Sequence, residues 1–315
     1  MWVISSLQTA KVPTNIALGN FDGVHLGHQR VMAEVVSGDY ATGRSYATVV
    51  TFSPHPQAYF SGIAKPLLTP VEEKAHQLSE LGLDQLVVLP FDQAIAALSP
   101  EEFVEKVLVN GLQARRISVG SDFRFGKGRS GDARGLKKIA AKYGIPVILV
   151  PLKEKEGDRI SSSRIREALL AGKPPEAAQL LGRPYTLTGS VVKGKQLGRT
   201  IGFPTANLQV PEEKFLPRTG VYSVWVHLHS HRPAKGIMNI GNRPTVNGQA
   251  LSVEVHLFDW SADLYGQTLS VSLDRFIRTE QKFESIEALK AQIVKDCEIA
   301  KEHLCDRSIA VAKTL

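Results

Sequence analysis

Apolar residues fall into two textures along the chain. Up to about Lys173 they come as short runs, at residues 16–18, 46–52, 86–89, 117–119 and 147–150, rich in β-branched side chains and bounded by Gly, Pro or Asp. Runs of this kind predict strands buried on both faces. Between them lie stretches of helical period with start signals. Thr69-Pro70-Val71-Glu72-Glu73 and Ser99-Pro100-Glu101-Glu102 each offer a cap residue, a proline at the first helical position and acids in the first turn. Strand and helix in alternation predict an α/β, Rossmann-like domain: a parallel sheet with helices on both faces, whose ligands sit beyond the carboxyl ends of the strands. Lys173-Pro174-Pro175 and Gly182-Arg183-Pro184 bracket a short helical piece, after which alternation with period two takes over. Stretches at 185–192, 221–228, 236–240, 251–258 and 269–276, separated by Gly, Pro and Asn turns, predict a small antiparallel barrel of five or six strands. A last stretch, 285–304, repeats Ile286, Leu289, Ile293, Ile299 and Leu304 and predicts a helix lying across the barrel. The expected division is 1–182 and 183–315.

Composition narrows the function classes. The 315 residues suffice for two domains, and the net charge of +7 is spread over both halves without a basic tail. Residues 115–138 hold a local basic excess relieved only by Asp122 and Asp132. Without a Lys/Arg tract or an aromatic stacking platform, this balance suits anionic small molecules and argues against nucleic acid. The N-terminus lacks the charged and apolar regions of a leader, and nowhere do about 18 apolar residues run together. The expectation is a cytoplasmic protein with no membrane partner. Cys297 and Cys305, eight apart in a helical pattern, lack zinc spacing and are expected to be packing residues. His227, His229 and His231 alternate near a strand end with no carboxylate close in sequence, and are set aside as a metal site.

Candidate chemistry begins at Gly19-Asn20-Phe21-Asp22-Gly23-Val24-His25-Leu26-Gly27-His28, directly after the first buried run. A strand entering a glycine-spaced turn that opens a helix presents free amides to an anion. His25 and His28, three apart, are expected on one face of the first helical turn, with Gly27 removing a side chain that would block close approach. The run has neither a Walker lysine nor G-x-G-x-x-G. A bare H-x-G-H also suits a polar helix cap, but strand, Phe-Asp-Gly and helix together favour the phosphate reading. The glycine- and cation-rich run from Gly120 to Gly131 follows a predicted strand, and Ile160-Ser161-Ser162-Ser163-Arg164-Ile165-Arg166 opens a helix with three hydroxyls and two arginines. Alone, the first is also a solvated loop and the second a plain serine cap.

In the second half, Gly194, Gly198 and Gly202 space a loop that ends in Pro204-Thr205-Ala206-Asn207. Its glycines would let amides wrap a phosphate chain, and Thr205 and Asn207, two apart on an extended segment, can face one hard cation. A tight barrel turn with a buried asparagine fits the spacing equally well. On the strand 251–258, Ser252, Glu254 and His256 share the polar face.

The first-half segments, with Ser53-Pro54-His55-Pro56, resemble the nucleotidylyltransferase domain of bacterial bifunctional riboflavin kinase/FMN adenylyltransferases, the FAD synthetases. The run 189–207, Pro217-Arg218-Thr219-Gly220-Val221-Tyr222, residues 236–245, Glu254-Val255-His256 and Asp263-Leu264-Tyr265-Gly266 are similar in order and spacing to the riboflavin kinase module. Together the resemblance covers nearly the whole chain. It implies a six-stranded riboflavin kinase-like barrel behind the Rossmann-like domain, with riboflavin, FMN and ATP as substrates and Mg²⁺ as the cofactor. It also implies site residues. Gly19, Phe21 and Gly27 would bind ATP phosphates, while His25 and His28 stabilise charge as FMN attacks the α-phosphorus. Ser162, Ser163 and Arg166 would hold the pyrophosphate side, and His55 and Asp122 would border the flavin. Ser163 stands where the family often has Thr, and the hydroxyl is kept. In the barrel, Gly194, Gly198, Gly202 and Thr205 would bind phosphate, Thr205 and Asn207 would coordinate Mg²⁺, and Glu254 would take the proton of the riboflavin 5′-hydroxyl. Arg278 and residues 279–283 would border the isoalloxazine. Two rivals remain. Another H-x-G-H adenylyltransferase would leave the barrel idle, and an RNA-binding protein with a nucleotide-fold remnant needs stacking aromatics and a basic barrel face.

Overall fold

A computed structural model describes all residues other than 37–44, 156–157, 195–197, 199–200, 229–231, 246–247 and 312–315. The chain divides into two compact units, Met1–Ser162 and Ser163–Leu315.

The first unit is built on six parallel strands: β1 Trp2–Ile4, β2 Thr14–Leu18, β3 Tyr46–Ser53, β4 Gln85–Pro90, β5 Ala114–Gly120 and β6 Val147–Val150, in the order β1-β4-β3-β2-β5-β6. Every residue of β2 is buried. Its alternating side chains feed two cores, Ile16 and Leu18 on one face with Phe103, Leu108 and Leu136, and Ala17 on the other with Val31, Met32 and Leu78. The five predicted strands are all present. Strand β1 escaped sequence reading because it is three residues long and exposes Trp2 and Val3. From β2 the chain proceeds to β3 on one side, whereas β5 pairs on the other, so the turn after β2 lies where the sheet order splits. Helices α1 Leu26–Val36, α2 Pro56–Ser61 and α3 Val71–Glu80 follow strands or their turns.

The second unit is a closed antiparallel barrel of six strands: β7 Thr186–Val192, β8 Ala206–Gln209, β9 Gly220–His227, β10 Ala234–Thr245, β11 Gly248–Leu257 and β12 Thr268–Arg278, ordered β7-β8-β11-β10-β9-β12. The sixth strand, β8, carries the Ala-Asn end of what the sequence presents as a loop. The terminal helix Ile286–Val311 follows β12. That helix packs by Ile293, Cys297, Ala300 and Leu304 against Ile237 and Phe258. The spacing 293-297-300-304 keeps these on one stripe, which corrects two expected members: Ile286 is 58% and Ile299 37% exposed. Cys297 is a packing residue as expected, whereas Cys305 lies one step off the stripe and is exposed.

Candidate active sites

Beyond β2 the chain folds back through Phe21, Gly23 and Val24, all at positive φ (53°, 88° and 45°). For non-glycine residues that backbone costs roughly 1–3 kcal/mol each, so the turn needs outside support. Residues 69–74 provide most of it. Asp22 Oδ1 accepts from Thr69 N at 3.2 Å, Thr69 Oγ1 accepts from Gly23 N at 2.9 Å, and the Asn20 carbonyl accepts from Lys74 Nζ at 3.0 Å and from Thr51 Oγ1 at 3.1 Å. Thr69 therefore spends its hydroxyl on the turn. The expected Thr69 cap of α3 is corrected accordingly: Pro70 takes the cap position without a side-chain bond.

Helix α1 starts at Leu26, so His25 stands before its first turn rather than in it. His25 Nδ1 accepts from His28 N at 3.2 Å and its carbonyl from Gln29 N at 3.0 Å, which makes it the cap. The two rings stack with centroids 3.5 Å apart and 17° between planes, and Phe21 meets His28 edge-on at 5.3 Å. Gly27 and Gly19 make room for these rings. A Cβ on Gly27 would lie 3.1 Å from His25 Cε1, and one on Gly19 would lie 3.0 Å from the Phe21 ring. Burial holds the His28 pKa well below its ordinary 6.5, and the positive charges of His25, Lys74 and Arg159 add to that. Its Nδ1 is buried without a hydrogen-bond partner among the described residues.

Ser162, the last residue of the first unit, donates its Oγ to the Asp22 carbonyl at 2.8 Å. Ser163 is exposed, and the Arg166 guanidinium carbon lies 5.5 Å over the Phe215 ring; both belong to the second unit. His55 caps α2, its Nδ1 accepting from Gln57 N at 3.0 Å, and burial lowers its pKa against the pull of Asp22. Helix α2 also carries Tyr59 and Phe60, which with Phe91 form an aromatic shelf of centroid spacings 5.3–5.8 Å, with Phe60 68% exposed. Sequence reasoning missed this shelf because its members come from two separated segments. Asp122 is ion-paired with Arg159.

The second unit holds a cavity of about 420 Å³. Gly198, Thr205, Asn207, Glu254 and Arg278 all line it, as do Glu280, Gln281 and Phe283 of the segment expected beside Arg278, and Asn239, which the sequence did not single out. Register explains the convergence. Asn207 pairs with Glu254 across β8 and β11, and Glu254 with Asn239 across β11 and β10, so three polar side chains form one rung over three strands. Thr205 Oγ1 donates to Glu254 Oε2 at 3.5 Å, and His256 Nδ1 donates to the Pro204 carbonyl at 2.7 Å. Gly194 and Gly202 lie off the cavity wall. A Cβ on Gly194 would come within 2.3 Å of Asn207 Nδ2, and Gly202 has a φ of +90°. The Gly198 carbonyl accepts from Phe203 N at 2.8 Å, closing the turn before Thr205. Lys195, Gln196, Leu197, Arg199 and Thr200 of the same loop lie outside the described residues.

Arg278 borders the cavity, but its guanidinium is already engaged. Nε and Nη2 donate to the Asp296 carboxylate at 2.7–3.0 Å, and Nη1 to the Thr279 carbonyl at 2.9 Å. Through Leu289, Ile293 and Asp296 the terminal helix thus forms part of the cavity wall. Of the alternating histidines, His227 Nε2 lies 3.0 Å from Ser272 Oγ, while His229 and His231 fall outside the described residues. Among the described residues no three His, Cys, Asp or Glu side chains gather as metal ligands.

Comparison with known proteins matches both units. A riboflavin kinase family profile matches residues 181–304, and a FAD synthetase profile matches residues 7–164. The bifunctional riboflavin kinase/FMN adenylyltransferase of Escherichia coli K12 is 41% identical over 291 residues, covering 91% of each chain. That of Haemophilus influenzae is 40% identical, over 91% of this chain and 92% of its own. A crystal structure described as a macrolide-efflux protein from Streptococcus pneumoniae shares 31% identity and superposes with a TM-score of 0.84, over 95% of this chain and 98% of that one. No helix among the described residues is long and apolar enough to cross a membrane.

Proposed function

The chain belongs to the bifunctional riboflavin kinase/FMN adenylyltransferase family, and on that premise we propose that its two reactions run at two separate sites, one in the barrel cavity and one at the His25/His28 turn. ATP-dependent phosphorylation of riboflavin gives FMN, and adenylylation of FMN gives FAD with release of pyrophosphate. On this reading residues 183–315 carry the first step and residues 1–182 the second. The observation that carries the assignment is the rung Asn207–Glu254–Asn239 in the cavity, set against a stacked histidine pair at a strand-to-helix turn in the other unit.

In the barrel, Glu254 takes the proton of the riboflavin 5′-hydroxyl as that oxygen attacks the γ-phosphorus and ADP leaves. A carboxylate suits this role once within about 2.6–3.2 Å of the hydroxyl. Thr205 and Asn207 offer oxygen donors beside Glu254, a hard donor set that fits Mg²⁺ shared with substrate phosphates rather than an all-protein cage. When bound there, Mg²⁺ neutralises phosphate charge. Gly198, on the cavity wall beside Thr205, adds to the phosphate grip, and Arg278, fixed by Asp296, gives a rigid flavin wall.

At the turn, FMN phosphate attacks the α-phosphorus of ATP in line with the departing pyrophosphate. The turn's task is to position the reactants and offset charge. His28 and His25 face the phosphates at the start of α1, and Ser162, bonded to the Asp22 carbonyl, takes the pyrophosphate side. His55 and Asp122 border the flavin, whose apolar ring system suits the shelf of Tyr59, Phe60 and Phe91, the first two exposed.

Incubation of the purified protein with riboflavin, ATP and Mg²⁺, followed by chromatographic separation of the flavins, tests the scheme. His28→Ala should abolish FAD while leaving FMN formation near normal, a loss of at least ~10²–10³ for one preorganised donor. Glu254→Gln should do the reverse, with FAD still made from supplied FMN. Loss of both activities in either variant would refute the two-site assignment.

A further inference from the structure

Lys74 is placed against three physical preferences. It is 5% exposed, although burying an ammonium is costly. It sits in the first turn of α3, the positive end of the helix dipole, where a cation is disfavoured. And its ammonium, with three donors, has one hydrogen-bond partner among the described residues, the Asn20 carbonyl at 3.0 Å. That carbonyl does not depend on it, since Thr51 Oγ1 also donates there at 3.1 Å. Asp22, itself buried, attracts the ammonium, yet its Oδ1 is already served by Thr69 N. One hydrogen bond for three donors, at a helix end that disfavours a cation, points to a task beyond supporting the turn.

Its surroundings say which function. Lys74 adds positive charge at both His28 and His55, the two imidazoles assigned to opposite ends of the nucleotide–flavin pair. We propose that Lys74 is a cation of the adenylyl-transfer site, holding the Asn20 carbonyl with one N–H and offering the other two to a phosphate oxygen of the bound nucleotide. The inference rests on the reading of the His25/His28 turn as the FMN adenylylation site. It fills the place of the lysine that the turn lacks in sequence: the cation arrives from a helix some fifty residues downstream, on the same segment that pins the turn through Thr69.

The test compares Lys74→Met, close in volume and uncharged, and Lys74→Ala with the parent protein. Expected for both is a fall in FAD formation of at least ~10²-fold, unchanged riboflavin phosphorylation in the same tube, and a melting temperature within a few degrees of the parent. Methylammonium or ethylammonium should restore part of the Lys74→Ala rate, which a merely structural defect would not allow. The proposal is overturned if Lys74→Met keeps FAD formation within about threefold, or if activity falls only in step with melting temperature and amines restore none of it. A His28→Ala protein that still makes FAD would instead remove the reading of the turn itself.

Discussion

His28 is held neutral by burial and the positive charge around it, and that has a measurable consequence. In the unfolded chain it titrates near 6.5, and in the native turn lower. Between those two values the unfolded chain binds a proton that the native state refuses, so stability falls as pH drops from 6.5 to the native value and not further below it. Phosphate bound at the proposed site would reverse the balance. We expect the His28 imidazole resonances to report a higher pKa with a non-hydrolysable ATP analogue than without, and calorimetry in buffers of different ionisation enthalpy to show proton uptake that His28→Gln abolishes. An unchanged titration would place the nucleotide phosphates elsewhere.

Among the elements, the terminal helix is the one whose role the sequence concealed. Its amphipathic period was legible, but Ile286 and Ile299 counted toward the stripe although they face solvent, and Asp296 drew no notice because a lone helical aspartate looks like surface. In fact Asp296 is buried, accepts from Gln292 Nε2 at 2.9 Å and clips Arg278. Asp296→Asn should leave a poorly compensated guanidinium at the cavity wall and cost about 3 kcal/mol of barrel stability, read by denaturant unfolding, together with a raised KM for riboflavin. The strands of both units were readable because buried runs and period-two alternation survive in one dimension. The glycine-spaced motifs were readable for a similar reason: His25, Gly27 and His28 act within one turn. What could not be read were partners brought together by register or by helix packing, such as Asn239 beside Glu254, Lys74 beneath Asn20, and Phe91 against Phe60.

At the level of the whole molecule, each compact unit has its own core and its own candidate site. Residues 163–315 expressed alone should therefore fold and convert riboflavin to FMN without making FAD, as chromatography of the products would reveal. A truncated chain that folds but leaves riboflavin untouched would show that the kinase needs the first unit. The barrel closes by pairing its first strand, Thr186–Val192, with its last, Thr268–Arg278, and its cavity is completed by the helix that follows. The first unit, by contrast, draws on no residue beyond its own boundary for its sheet. As the chain leaves the ribosome, the adenylylating half can take shape while the barrel still lacks its closing staves, so the enzyme's second step matures before its first, and a nascent or prematurely ended chain would consume FMN that it cannot itself make.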